Sequence, residues 1–440
     1  MIFNSSKYNT EWNTKRLSDL GEFQRGKSRH RPRNDSKLFE HGTYPLVQTG
    51  EVKAANLYIR THEACYNDFG FSQSAIWPEN TLCITIAANI AETALLGYPM
   101  CFPDSVVGFN AYPEESSELF MHYVFTYIRK AIQNSASGSI QDNINIEYLT
   151  GLRFKIPHKT YQDKIAEILS SLDKKIELNN RINSELEAMA KMLYDYWFVQ
   201  FDFPDVNGKP YKASGGKMIY NETLKREIPE GWGDLFLGDL INLERGVTYG
   251  KEDVTDKENP KAVGVLRATN VTGNIVDIDD LVYVPTSLVN DAQTIKAFET
   301  IIVMSSGSKD HVGKNGVYYF EEPLGFGAFC SKIAPKKGKE ALVNTFLQST
   351  WFRAYIKNQC LGTNINNLTG DHINKCPIVV PSTTLLEKFE GQVGKIYKKI
   401  ALNANESQKL RMLRDWLLPM LMNGQVTVQS STEVQEAQHG

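Results

Sequence analysis

Residues 161–203 read YQDKIAEILSSLDKKIELNNRINSELEAMAKMLYDYWFVQFDF, and the fold turns on how this stretch is partnered. Apolar residues recur every seven positions at Ile165, Leu172, Leu186 and Leu193, with a companion seam through Leu169, Ile176, Ala190 and Trp197. No Pro or Gly interrupts it and charged residues fill the other faces, so the pattern predicts an amphipathic helix of about five heptads. Asn179 and Asn183 break the seam near its middle. A buried Asn at such a position costs stability but fixes register and partner number. At about 1.5 Å per residue, Ile165 to Trp197 spans on the order of 50 Å. One small domain cannot cover a seam of that length, so the helix requires a helical partner.

The chain supplies that partner itself. Residues 385–421, LLEKFEGQVGKIYKKIALNANESQKLRMLRDWLLPML, superpose on the first stretch at a shift of 224. Lys174-Lys175-Ile176 falls on Lys398-Lys399-Ile400, Leu178-Asn179 on Leu402-Asn403, Leu186 on Leu410 and Leu193 on Leu417. Ile165, Leu169 and Leu172 fall on Phe389, Val393 and Ile396, and upstream Pro157 meets Pro381 and Gly138 meets Gly362. Any two amphipathic helices share a heptad; identities at polar positions indicate duplication instead. The repeat extends further upstream. A shift of 220 matches Trp12 with Trp232, Leu17 with Leu237, Asp19-Leu20 with Asp239-Leu240, Arg25-Gly26 with Arg245-Gly246, Leu46 with Leu266 and Thr49 with Thr269. A shift of 217 aligns Gly108-Phe109 and Ala111 with Gly325-Phe326 and Ala328. The drift in the shift is expected of insertions in surface loops.

Short apolar or alternating runs bounded by Gly, Pro and Asn, such as TYPLVQTGEV, NTLCITIAANI, AVGVLRATNV and ETIIVMSSG, read as strands of a mixed α/β (α+β) fold. The helical patterns SSELFMHYVFTYIRKAI and ALVNTFLQSTWFRAYI follow in the two halves. The expected organisation is a globular domain (1–157), a long helix (158–202), a Gly-, Pro- and Lys-rich connector without periodicity (203–230), a second globular domain (231–381), a second long helix (382–424) and a flexible tail (425–440). The two helices are expected to pair as a coiled coil through Ile165, Leu169, Leu172, Ile176, Asn179, Leu186 and Leu193 on one side and Phe389, Val393, Ile396, Ile400, Asn403, Leu410 and Leu417 on the other.

The chain has 440 residues, 42% hydrophobic and 22% charged, which suits two or three ordinary soluble domains. A net charge of −3 excludes a uniformly basic nucleic-acid coat but leaves room for local basic patches. Six cysteines at 65, 83, 101, 330, 360 and 376 form no C-x-x-C pair. They read as reduced thiols of a cytoplasmic protein, and the N-terminus lacks the order of a signal peptide. The most apolar window, 81–102, contains Asn89 and Glu92 and is broken by Gly97 and Pro99, so no membrane span follows.

Catalytic patterns are missing. GSKDHVGKNG at 307–316 has five residues between Gly307 and Gly313 and Asn315 where a phosphate-binding loop needs a hydroxyl. LGFGAF at 324–329 lacks a third glycine, and neither Pro103-Asp104 nor Pro204-Asp205 is followed by the E-x-K of a nuclease. No nucleophile elbow or paired-His zinc spacing occurs, so neither a catalytic nor a metal site is expected. The strongest binding signal is RGKSRHRPRNDSK at 25–37, where Arg25, Lys27, Arg29, Arg31, Arg33 and Lys37 stand against the single acid Asp35. Such density offers several phosphate contacts; a solvated loop or a localisation tag is the plainer alternative. The second half offers Arg245, Lys251, Arg267, Lys309 and Lys314 with less crowding. Side chains able to read base edges cluster at Gln48-Thr49 and at Arg267, Thr269 and Asn270, and ordinary strand-end polarity is the alternative for each.

Two variable domains, each followed by a similar long helix, resemble the DNA-specificity subunit of type I restriction–modification enzymes. Trp197-Phe198-Val199-Gln200-Phe201, Ile228-Pro229-Glu230-Gly231-Trp232 and Leu237-Gly238-Asp239-Leu240 carry the likeness. His158-Lys159 and Ser382-Thr383 depart from the family's usual lead-in to each helix. The resemblance implies a non-catalytic subunit whose two target recognition domains each read half of a bipartite, asymmetric site in double-stranded DNA. It implies that the two helices pack antiparallel as a coiled coil, set the spacing and dock two methyltransferase subunits, which bind S-adenosylmethionine and methylate adenine. Motor-nuclease subunits would bring ATP and Mg2+, leaving this chain without a cofactor of its own. The rival classes are a coiled-coil adaptor for proteins and a self-sufficient enzyme with an unfamiliar site.

Overall fold

A computed structural model of the chain describes residues 2–137, 144, 146–308, 310–360 and 367–428. Gly138, Gly362, Lys309 and the tail beyond Val428 lie outside the described residues. The chain forms two compact units, Met1–Leu178 with Gln408–Gly440 and Asn179–Ser407, whose boundary cuts both long helices. The first long helix runs Lys159–Tyr194 over 36 residues and the second Thr383–Met422 over 40 residues. Each unit therefore holds one globular domain together with a segment of either helix.

In the first unit, strands Gly21–Arg25, Val106–Ala111, Leu82–Thr85, Thr93–Leu96 and Tyr58–Ile59 form one sheet in that order. A second sheet orders Ala64–Tyr66, Tyr44–Leu46, Met100–Cys101 and Ile76–Trp77, with Tyr44–Leu46 and Met100–Cys101 parallel. Strand Leu82–Thr85 and the first half of Val106–Ala111 are buried throughout, which explains their continuous apolar reading. The helix Glu118–Ser137 packs on this sheet through Phe120, Val124 and Ile128.

Among the described residues, the second unit repeats the topology without a strand as counterpart of the edge strand Tyr58–Ile59. Ile241–Arg245, Cys330–Pro335, Thr300–Val303 and Asn315–Val317 form one sheet, and Val282–Pro285, Ala262–Leu266, Leu324–Phe326 and Thr294–Ile295 the other, again with one parallel pair at its centre. This corrects one element of the sequence alignment. Gly325-Phe326 pairs with the strand that ends at Leu266, as Cys101 pairs with Leu46. The counterpart of Gly108-Phe109 is Lys332-Ile333, because Val107 faces Arg25 as Ser331 faces Arg245. Glycine and phenylalanine are frequent enough in buried strands to align out of register; the ladder partners are not.

Within each unit the long helices run antiparallel. In the second unit Trp197 meets Phe389 at a ring separation of 5.6 Å. Asn183 accepts from Asn403 Nδ2 at 2.9 Å, and Asn179 Nδ2 donates to Glu406 at 2.8 Å and to Ser407 Oγ at 3.3 Å. The shift of 224 carries Asn179 to Asn403 and Asn183 to Ser407, so the repeat maps one contact onto the other. Ile165, Leu169, Ile176, Phe389, Val393 and Ile400 are buried as the heptad requires, and Leu186, Leu193, Ile396 and Leu417 pack at the margin. Leu172 and Leu410 are half-exposed. Beside Leu172 the buried residue is Asp173, which accepts from Arg414 at 2.7 Å and from the Tyr123 hydroxyl at 2.6 Å.

Further contacts tie each domain to its helices. In the second unit Glu390 accepts from the backbone N–H groups of Ala341 and Leu342 at 2.9 and 2.8 Å, capping the helix Glu340–Leu347. Burial pushes the Glu390 carboxyl up despite those two donors. The first long helix ends in a wider turn, Asp195–Val199, which lets the consecutive residues Trp197 and Phe198 both face the core. The connector is more ordered than its composition suggests. It contains the hairpin Met218–Asn221 with Arg226–Pro229, and Phe203 stacks on Tyr211 and Trp232 at 4.7 and 4.8 Å. Aromatic residues spaced this irregularly leave no period to read. At the tail, Val426 and Val428 pack against the first core, and Val428 N–H donates to the Tyr161 hydroxyl at 3.0 Å.

His122 is buried beneath the first sheet, with Nδ1 3.1 Å from the Thr93 hydroxyl. Burial, and then the charges of Arg129 and Arg414, lower its pKa to about 3. The folded state therefore binds this proton less readily than the unfolded chain. The stability His122 contributes is complete above the ordinary imidazole value near 6.5 and is lost as pH falls towards 3. In the second unit the buried Asn344 accepts a hydrogen bond from the Thr300 hydroxyl at 2.9 Å, an uncharged amide filling a polar position between helix and sheet. Thermal melts of H122N should lose less between pH 7 and pH 5 than those of the wild type; identical pH profiles would contradict this account.

Candidate nucleic-acid interface

Each unit brings two loops against one turn at the end of its sheets. In the first unit the turn is 102–105. Gly26 N–H donates to the Val106 carbonyl at 2.9 Å on one side, and Val47 N–H donates to the Cys101 carbonyl at 3.1 Å on the other. Gly26 has to be glycine, because a Cβ there would lie 2.2 Å from the Pro103 carbonyl oxygen. The second unit uses the same device at turn 327–329. Gly246 N–H donates to the Cys330 carbonyl at 3.2 Å, Gly327 N–H donates to the Leu266 carbonyl at 2.9 Å, and a Cβ on Gly246 would lie 2.3 Å from the Gly327 carbonyl oxygen. The repeated Arg-Gly pair thus marks where a strand stops and its basic side chain reaches the surface beside the turn.

The loop 25–37 is built rather than merely basic. Asp104 accepts from Arg33 at 2.8 Å and from Arg31 at 3.1 Å, and its carbonyl accepts from Arg25 Nε. His30 lies 2.7 Å from Asp35, and that hydrogen bond, followed by the Lys37 backbone N–H, lowers the Asp35 carboxyl. The far end is anchored by buried Leu38 and by Asn67, whose amide donates to the Lys37 and Glu40 carbonyls. Three of the six predicted cations are therefore gathered around Asp104. Lys27, Arg29 and Lys37 are exposed. Across the turn, Gln48 precedes the short helix Thr49–Ala54, its backbone N–H held by Glu51 and its side chain exposed.

In the second unit Arg245 and Lys251 are exposed, and Lys251 opens the short turn Lys251–Asp253. Arg267 donates to the Asp280 carbonyl at 2.7 Å and pairs with its carboxylate at 3.1 Å. Thr269 is exposed, but Asn270 is not available to a base. It is buried, its carbonyl oxygen accepts from Arg267 N–H at 2.9 Å and its amide donates to the Asp279 carbonyl at 2.8 Å. Both ends of the amide shape the 267–270 turn, a common use of Asn that a sequence cannot distinguish from base recognition. Lys314 also departs from the expected cluster. It lines a cavity of about 510 Å³ with Thr272, Asn274, Asp310, Arg353 and Lys357, none of which belongs to the 327–329 turn. Two features carried no sequence signal as interface groups: Asp104, which organises the first loop, and Phe329, which projects from the second turn.

Known proteins converge on the same architecture. The family model described as the type I restriction modification DNA specificity domain matches residues 9–188 and again 229–409. The specificity subunit of the type I restriction enzyme MjaIX of Methanocaldococcus jannaschii is 24% identical over 427 residues, 95% of this chain and 94% of that protein. The EcoKI specificity subunit of Escherichia coli is 31% identical over 206 residues, 46% of this chain and 44% of that protein. The crystal structure of an S subunit from M. genitalium shares the fold, with a TM-score of 0.51 at 16% identity over 96% of this chain and 99% of that one. The chain belongs to the type I restriction modification DNA specificity domain family. It is a non-catalytic specificity subunit with two DNA-recognition domains. Among the described residues, no helix is long and apolar enough to cross a membrane, and no cluster of His, Cys, Asp and Glu could hold a metal ion.

The grouping of cations makes a measurable distinction. For the assembled complex on duplex DNA, K27A/R29A should reduce the slope of log affinity against log salt by up to about 0.9 for each phosphate left without its cation, whereas K314A should leave it unchanged. An equal fall for K314A would place that lysine in the interface.

Proposed function

We propose that each globular domain reads one half of a bipartite, asymmetric DNA target. The observation that carries this reading is the duplicated turn, flanked in either unit by an Arg-Gly strand end and a second polar loop. Arg25, Lys27, Arg29, Arg31, Arg33 and Lys37 in one domain, and Arg245 and Lys251 in the other, serve as phosphate anchors. Gln48, Thr49, Arg267 and Thr269 face the groove as base readers, Arg suiting guanine and Gln adenine. Asn270 supports this work by shaping the turn that presents its neighbours.

The helix pair acts as the ruler between half-sites and as the dock for two methyltransferase subunits. Exposed apolar side chains away from the seam support the docking role. Met189 and Met192 lie one turn apart on the first helix, and the shift of 224 carries them to Leu413 and Trp416 on the second, all four exposed. A repeated apolar pair suits two copies of one partner. S-adenosylmethionine belongs to those partners, ATP and Mg2+ to motor-nuclease subunits, and the assembly works in the cytoplasm where its DNA lies. The M192D and W416D variants should each lose one methyltransferase subunit, read as a change in complex mass by native mass spectrometry; full assembly by both would exclude these patches.

The function is tested by co-expressing the chain with candidate methyltransferase subunits and mapping adenine methylation across genomic DNA. One split motif is expected. Adding a whole heptad to both long helices should lengthen its spacer and leave both half-sequences alone. Altered half-sequences at a constant spacer would defeat the ruler, and methylation without sequence preference would favour an adaptor.

A further inference from the structure

The turn shared by the two domains carries opposite chemistry in each. In the first unit Asp104 occupies it and Arg31 and Arg33 close over the carboxylate. In the second the hydrogen bonds that place Val106 opposite Gly26 and Cys330 opposite Gly246 make Phe329 the counterpart of Ser105. Phe329 is 69% exposed, the most exposed phenylalanine among the described residues. Its backbone is nonetheless held firmly. Its carbonyl accepts from Met304 N–H at 2.9 Å and Ser305 N–H at 3.3 Å, and the turn closes through Cys330 N–H to the Gly327 carbonyl at 2.9 Å. The strand ends on either side carry Arg245 and Arg267. A bare aromatic ring on a firmly held backbone therefore stands between two arginine-bearing edges.

A phenyl ring has no donor or acceptor, so it can neither hold a phosphate nor read a hydrogen-bond pattern. Water is a poor environment for it, and burial against an apolar surface is favourable. DNA offers such surface in two places, the thymine methyl group and the faces of stacked bases. The methyl group covers only part of a ring, whereas a base face matches its whole area. Resting on the DNA-recognition reading above, we propose that Phe329 is an apolar wedge of the second domain that inserts between two base pairs of its half-site. The wedge favours a step that unstacks readily, such as pyrimidine–purine, and so contributes specificity through deformability as well as contact. Ser105 gives the first domain no such wedge, so the effect is confined to one half of the target.

The test uses the assembled complex and the duplex defined by methylation mapping, with 2-aminopurine placed in turn at positions of both half-sites other than the methylated adenines and their immediate neighbours, where base flipping would itself raise the signal. The wild type should raise the fluorescence at one step of the second half-site and at none of the first. F329S, which installs the first domain's residue at an exposed tip, should abolish that signal and weaken cognate binding roughly tenfold, with an unchanged salt slope. F329W should restore both signal and affinity. Undiminished affinity and fluorescence in F329S would overturn the wedge alone. Weaker binding by F329S with no fluorescence change in the wild type would also overturn it, in favour of a groove contact. A wild-type complex that binds all duplexes alike would overturn the recognition reading and the wedge together.

Discussion

The structure depends on covering an apolar seam that runs the length of two helices. Neither globular domain is large enough to do so, and each helix finds its complement in the other copy of the same sequence. Antiparallel pairing brings Asn183 against Asn403 and Asn179 against Ser407, so polar atoms buried by the seam satisfy one another. Sliding by one heptad would strand these amides among apolar residues, at a cost of about 1–3 kcal/mol for each unsatisfied group. Apolar burial supplies the drive to pair, and the polar interruption selects the register.

The domains are fastened to the helices by contacts that the repeat conserves in place but not in chemistry. In the first unit Tyr123 of the domain donates to Asp173 of the long helix. In the second the tyrosine has moved to the long helix, where the Tyr397 hydroxyl meets Thr345 at 2.7 Å. Positions 173 and 397 are related by the shift of 224, so a hydroxyl contact survives an exchange of partners. The first unit then needs Arg414 beside Asp173, because a buried carboxylate requires a counter-charge. Duplication preserves the geometry of attachment, while each copy solves its own polar satisfaction.

The same division holds at the turns. Gly26 and Gly246 are retained because a carbonyl oxygen occupies the space any side chain would need. The residues displayed beside them are unconstrained by packing, and the two domains have diverged there: an acid under arginines in one, a bare phenylalanine in the other. A scaffold that holds backbone and releases side chains lets two copies of one DNA-recognition fold display different surfaces.

By itself the sequence determined the duplication, the long helices, their seam, the mixed α/β domains and the basic loop, because periodicity and identity are local properties visible along a chain. It also pointed to the Arg-Gly pairs, since glycine required by close approach leaves the same mark in both copies. Only the tertiary structure decided which polar residues face outward. Asn270 spends its amide on a turn, Lys314 turns towards a separate cavity, and Asp104 collects three arginines from a distant loop. The hairpin at 218–229 and the correct pairing of Gly108 likewise emerged from the ladders. Hydrogen-bond partners distant in sequence settle such matters, and composition and spacing carry no record of them.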